Sequence, residues 1–340
     1  MPDAQIISID RRTPAGKCVA ITARGQRCRN QAIEGSSFCR IHFPVGRDLA
    51  HSQHPAGTAP QPAEAGRSEE LRSFLRRRLV GDYYVDEYGY DEELTQLVFM
   101  PLLRFLYEKW WRVEVRGIEN VPARGPAMVV ANHSGTLPWD GAMIITAMQL
   151  EHPAKPVIRL LGADLLWTVP FLSHWARKIG NTVACDENAL FLLRRGELVG
   201  VFPEGFKGIG KPFSERYRLQ RFGRGGFVEV AIATGAPLIP CAIVGAEEIY
   251  PMIYDFQPLA RLFNLPYFPI TPFFPLLGPL GLVPLPSKWI IEFGEPIPTD
   301  AYPPEAKDDP MTLFELSDQI RDTIQQMLYR NLMARGSWIA

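Results

Sequence analysis

Seven short runs rich in Val, Ile, Leu and Ala lie near 112–116, 127–131, 157–161, 182–184, 198–202, 238–244 and 289–293. They alternate with helix-compatible segments near 141–150, 165–178, 187–195 and 226–234. Continuous apolar runs of this length read as strands buried on both faces, and parallel strands need a crossover between them, usually a helix. The pattern predicts an α/β fold: a mostly parallel central sheet flanked by helices on both sides. No internal repeat accompanies it.

Two of these strands end in residues that carry chemistry. Residues 128–141 read MVVANHSGTLPWDG: a β-branched run ends in Asn132-His133, a Gly/Pro loop follows, and Trp139-Asp140 opens a helix. Strand, polar turn and helix start is the context in which side chains are held at the edge of an α/β sheet. Two readings stand open. His133 and Asp140 form a general base with its orienting carboxylate, or the histidine caps a strand and the aspartate caps a helix. Residues 198–205 read LVGVFPEG, an apolar strand ending in Phe202-Pro203-Glu204-Gly205. The following loop carries Lys207, Lys211, Arg216, Arg218, Arg221 and Arg224 among glycines. Cations on a glycine-rich backbone beside a sheet edge suit phosphates; a solvated loop is the plainer reading.

Composition narrows the class. With 46% apolar and 21% charged residues in 340, the chain is long enough for one α/β domain and an appendage. A net charge of −1 provides no global field for nucleic acid. The first residues, MPDAQIISIDRR, lack the apolar core of a signal peptide, and no window offers an uninterrupted membrane span. The expectation is a cytoplasmic protein, peripheral on the inner face of a membrane.

Three of the five cysteines, Cys18, Cys28 and Cys39, lie with His42 within residues 17–42. Three thiolates and one imidazole would close a tetrahedral structural zinc shell, and a segment this short has no apolar core to fold it otherwise. A tail whose cysteines cluster by chance is the alternative. Arg24, Arg27, Arg29 and Arg40 of this segment read as a contact to nucleic acid or anionic lipid, or as a solvated basic face. The expected organisation is a Cys3His module over 14–45, a Pro/Ala/Gly-rich linker over 46–68, a catalytic domain over 92–300 and a terminal helix over 309–334. In the segment 92–111, Leu94, Leu97, Val98, Leu102, Phe105 and Leu106 make an apolar stripe with Pro101 as a kink. That stripe packs on the domain or lies in a membrane interface. Residues 255–286 are dense in Pro, Phe and Leu, too broken for a helix and too apolar for a free loop. Core packing, the lining of an apolar channel and contact with a bilayer are all compatible with them.

The blocks Asn132-His133…Asp140, Phe202-Pro203-Glu204-Gly205, Gly225-Gly226 and Ala236-Pro237-Leu238-Ile239-Pro240 occur in that order. Together they resemble the lysophospholipid/glycerolipid acyltransferase family over about 110–298. The resemblance implies a glycerolipid acyltransferase fold and transfer of a fatty acyl group to a lipid hydroxyl. The donor would be an acyl-CoA or acyl carrier protein thioester. It implies His133 as base, Asp140 as orienter, and backbone amides near Gly135 or Gly205 for the oxyanion. The FPEG block, Glu204 above all, would hold the acceptor, and Lys207, Lys211 and Arg218 would bind substrate. The partners it implies are lipid acceptor, acyl donor and membrane surface. Two departures stand out. Six residues rather than four separate His133 from Asp140, as in an HSG-x-LP-x-D variant, and the second motif, 180–186, ends in Cys185-Asp186 without the arginine that holds a phosphate. A neutral acceptor follows from the second. The rival readings are a lipid hydrolase using Ser134, which lacks a G-x-S-x-G elbow, and a non-enzymatic lipid- or nucleic-acid-binding protein.

Overall fold

The computed structural model describes residues 67–163, 166, 172–223 and 225–336, together with two short strands near the N-terminus. The chain divides into two compact units, 1–82 and 83–340. In the first, β1 (Ile6–Ile9) pairs antiparallel with β2 (Ala20–Thr22). Its helix α1 (Arg67–Val80) has Glu69 and Glu70 in the first turn and Arg77 and Arg78 in the last, the charge order a helix dipole favours. Cys18, Cys28, Cys39 and His42 lie outside the described residues, as does nearly all of the 46–68 linker. Among the described residues no three His, Cys, Asp or Glu side chains are grouped to hold a metal ion.

The second unit is built on a seven-stranded sheet. Its strands are β3 (Glu114–Arg116), β4 (Ala127–Ala131), β5 (Ile158–Gly162), β6 (Thr182–Val183), β7 (Leu198–Val201), β8 (Leu238–Val244) and, beyond the small pair β9 (Tyr254–Asp255) and β10 (Pro269–Ile270), β11 (Ile290–Phe293). The spatial order is β3-β11-β8-β4-β7-β5-β6. The run from β8 to β6 is parallel throughout. β11 is antiparallel to β8 and parallel to β3. The reversal has a topological cause. After β8 the chain makes a proline-rich excursion in place of a crossover helix, so it re-enters the sheet from the edge it left.

Alternation along the buried strands divides the core in two. Ala127, Val129 and Ala131 of β4 pack with residues 92–110 (α2) and α3 (Trp139–Leu150). Met128 and Val130 pack on the other face with α5 (Asp186–Arg194), which follows α4 (Leu172–Lys178). Beyond α6 (Phe206–Ile209), α7 (Gly226–Thr234) and, past α8 (Gln257–Leu262), α9 (Pro310–Arg335) complete that layer. Gly200 lets the sheet close on Leu160: a Cβ there would stand 2.4 Å from Leu160 Cδ2.

The helix over 92–110 departs from the simple amphipathic expectation. Two of its turns, Thr95–Phe99 and Leu106–Trp110, are π-helical. Each wide turn shifts the inward face by one residue, so Thr95, Met100, Leu103, Tyr107 and Trp111 are buried while Val98, Leu102 and Phe105 are exposed. The segment after Gly205 is helical as α6 rather than a loop. Among the described residues no helix is long and apolar enough to cross a membrane.

Candidate active site at the C-terminal edge of the sheet

β4, β7 and β8 are parallel neighbours, so Asn132-His133, Phe202-Pro203-Glu204 and the Glu247-Glu248 pair all emerge at one edge. Asn132 extends the sheet with its side chain. Its amide donates to Ile243 O at 3.1 Å, and its carbonyl accepts Ile243 N–H at 2.7 Å. With Asn132 locked, His133 turns out of the strand at a fixed point.

His133 Nδ1 lies 2.7 Å from Asp140 Oδ2. The same oxygen accepts the N–H of Ser134 at 2.9 Å, and Oδ1 accepts that of Gly141 at 2.8 Å. Asp140 is fully buried, 0% exposed, and three donors converge on its carboxylate. Such a group selects the imidazole tautomer with hydrogen on Nδ1, leaving Nε2 as the nitrogen available to chemistry. The His133 side chain keeps 14% exposure and stacks on Phe202, ring centroids 4.5 Å apart at 28°. The six-residue loop between the pair turns on Gly135, at φ +79°. A Cβ there would meet Ala246 O at 3.0 Å.

The structure brings Glu204 to His133 in an unexpected manner. Its Oε1 accepts the backbone N–H of His133 at 3.0 Å, and its Oε2 accepts that of Gln220 at 2.7 Å. The side chain has no exposure. Lys211 is likewise internal. Its Nζ lies 3.1 Å from Glu247 Oε1 and 3.6 Å from Glu204 Oε2, and donates to Arg218 O at 3.2 Å. Burial outweighs that lysine at Glu247, whose carboxyl is pushed up to about 7. Lys207 and Arg218 stand exposed at the rim. Pro203 O accepts Gly223 N–H at 3.3 Å, and Gly205 adopts φ +55°, ψ −143°, a conformation essentially reserved for glycine. Ser134 is 0% exposed, and its Oγ has no hydrogen-bond partner among the described residues. An activated serine nucleophile needs a hydrogen bond to its base, and Ser134 Oγ makes none to the adjacent imidazole.

Several supports escaped the sequence reading. Glu248 accepts from Tyr217 Oη at 2.7 Å, Ser287 Oγ at 2.6 Å and the Arg335 guanidinium at 2.8 Å, binding the last turn of α9 beneath the site. Tyr267 Oη donates to Thr136 O, in the loop between His133 and Asp140, at 2.6 Å. The one available signal was Glu247-Glu248 directly after the apolar β8, at the edge where α/β sheets bind ligands. A cavity of about 10 Å³ lies among Gly135, Thr136, Gly208, Lys211, Glu247 and Tyr250, room for about one water. Asp186 lies away from this constellation, exposed near Gly226 at the start of α7.

A buried carboxylate–imidazole pair stands at the C-terminal edge of the parallel sheet, an arrangement suited to proton transfer, and the segment that holds it is similar to known proteins. The family model described as Acyltransferase matches residues 112–244, which include His133, Asp140 and Glu204. An uncharacterised protein of Mycobacterium tuberculosis is 54% identical over 297 residues, covering 86% of this chain and 83% of that protein. The human DGAT1/2-independent enzyme synthesizing storage lipids is 26% identical over 231 residues, covering 67% and 64%. Human 1-acyl-sn-glycerol-3-phosphate acyltransferase alpha is 27% identical over 165 residues, covering 48% and 56%.

Proposed function

We propose that the protein transfers a fatty acyl group from an acyl-CoA or acyl carrier protein thioester to the hydroxyl of a glycerolipid, with His133 as general base. The observation that carries this reading is the 2.7 Å contact between His133 Nδ1 and the buried Asp140. Nε2 takes the acceptor hydroxyl's proton as its oxygen bonds to the thioester carbonyl carbon. Asp140 stabilises the imidazolium that forms. Collapse of the tetrahedral intermediate breaks the carbon–sulfur bond, and the imidazolium returns its proton to the departing thiolate. No acyl-enzyme is involved. Glu204 holds the His133 backbone rather than the acceptor. In this reading Lys207 and Arg218, both exposed in the segment after Gly205, meet the phosphates of the donor.

The acceptor in this reading is neutral, a mono- or diacylglycerol or another lipid alcohol. A phosphate brought to the site needs an unspent cation, because desolvating it unpaired is costly. The buried cation here, Lys211, is already engaged by Glu204 and Glu247.

The test is incubation of the purified protein with labelled acyl-CoA and a lipid panel, with products identified by mass spectrometry. Acyl transfer by the wild type and its loss in His133→Ala are expected. Equal transfer by both would overturn the base. In competition at equal concentration, diacylglycerol should outrun lysophosphatidate; the reverse preference refutes the neutral acceptor.

A further inference from the structure

The excursion between β8 and β11 contains 26 consecutive residues, 262–287, without one Asp, Glu, Lys, Arg or His. It is not core. Leu262 is 73% exposed, Phe263 59%, Leu276 84%, Leu280 71% and Val283 56%, with Leu277 also outward. We infer that this lobe seats in one leaflet of a lipid bilayer and sets the active-site edge against the membrane surface. The proposal deepens the acyl-transfer reading by naming where its acceptor comes from, and rests on that reading only for the acceptor's identity.

Three observations select lipid over protein as the occupant. The first is polarity. A protein interface carries roughly one hydrogen bond per 100–200 Å² and a polar rim. Of the few uncharged polar side chains in the run, Thr271 and Ser287 are buried. Apolar surface this dense on a monomer marks an interaction site, and one without polar specificity matches hydrocarbon.

The second is the backbone. Hydrocarbon offers no partner for an N–H group, so each one entering it must be satisfied within the protein. The run contains seven prolines, which have no N–H to satisfy. Several of the remaining amides are tied into tight turns: Leu277 to Phe273 O, Gly278 to Pro275 O, Leu280 to Leu277 O and Val283 to Leu280 O. Phe273 and Phe274 donate to Thr271 Oγ1.

The third is attachment. Trp110 Nε1 donates to Pro284 O at 3.0 Å, Trp111 Nε1 to Leu285 O at 3.1 Å, and Tyr250 Oη to Leu282 O at 2.6 Å, so indole and phenol groups fasten the lobe to the folded unit. Tyr267, inside the run, holds Thr136 between His133 and Asp140. The lobe also departs from the edge of the sheet where those residues emerge. A bilayer meeting the lobe therefore lies beside the base. The exposed Arg261 on α8 sits at its margin, where lipid phosphates would lie.

The experiment uses the full chain and mixed phosphatidylcholine–phosphatidylglycerol vesicles in a flotation assay at low and high salt. The wild type should float at both. The double variant Leu276→Asp/Leu280→Asp should partition about tenfold more weakly or worse, since even one buried leucine is worth that factor, while its melting temperature stays unchanged. Leu280→Trp provides a gain of signal: brominated acyl chains should quench its added fluorescence. Wild-type protein that stays unbound, a double variant that floats equally well, or an unquenched Leu280→Trp overturns the proposal. So does a concentration-dependent dimer dissolved by the aspartates while vesicles are ignored, which would assign the lobe to a second copy. Vesicle binding without any acyl transfer would sink the proposed reaction and leave the docking surface standing.

Discussion

The backbone N–H of His133 donates to the side chain of Glu204, 71 positions further along the chain, at 3.0 Å. Through its other oxygen the same carboxylate holds Gln220 N–H at 2.7 Å. It thus ties the end of β4 to the loop beyond α6, and in the proposed reaction Glu204 acts by holding His133 in place. Glu204→Gln puts an amide NH2 against one of those two donors. It should lower kcat by about ten- to a hundredfold while leaving the acceptor KM within about threefold. Steady-state kinetics separates this from direct acceptor binding, in which KM would rise instead.

His133→Ala should reduce kcat by about a hundredfold or more. Asp140→Asn should act in the same direction, because three donors face that carboxylate and an amide opposes one of them. Ser134→Ala should retain activity and at least wild-type stability, since it deletes a buried hydroxyl without a partner among the described residues. An inactive Ser134→Ala would restore the nucleophile reading.

Glu247 imposes a pH dependence of known sign. Its carboxyl is raised from 4.5 to about 7 by burial, so the folded protein binds a proton that the unfolded chain releases earlier. Its contribution to stability is full below about 4.5 and is lost as pH rises through about 7. Relative to Glu247→Gln, the wild type should lose stability across that window. Denaturant titrations of both proteins at several pH values would show it, and parallel curves would contradict it.

Gly208 packs against His133. A Cβ there would meet His133 O at 2.8 Å, Glu204 Cβ at 2.9 Å and His133 Cβ at 3.0 Å. Gly208→Ala should cost about 1–3 kcal/mol of stability and reduce turnover together with it. Thermal melts alongside the activity assay check both.

The parallel core was legible because continuous burial writes itself into sequence: 127–131 and 238–244, read as apolar runs, are β4 and β8 to the residue. Asp140 was legible as a partner for His133 because both stand at element ends. The direction in which Glu204 points was not, since it is decided by amides 71 and 16 positions away. Lys211 reads as a surface cation in a glycine-rich loop. Only the fold reveals Glu247 beside it, supplied by the end of β8. The π turns of α2 were hidden for a related reason. Local spacing favours the Leu94–Leu106 stripe, whereas the packed structure buries Met100, Leu103 and Tyr107. Tertiary packing overrides local periodicity there.

The first strand of the seven-stranded sheet is paired by its last, Glu114 of β3 lying opposite Ile290 of β11. During translation β3 leaves the ribosome with its partner still unmade. At roughly 5–20 residues per second the wait is on the order of ten to thirty-five seconds. Through that interval the nascent chain carries an unpaired strand edge, an invitation to association with other nascent chains. The same interval sees the Leu- and Phe-rich lobe emerge ahead of β11. Synthesis of this protein therefore exposes an unpaired strand edge and an apolar lobe together, and its yield should depend on chaperones that act before β11 closes the sheet.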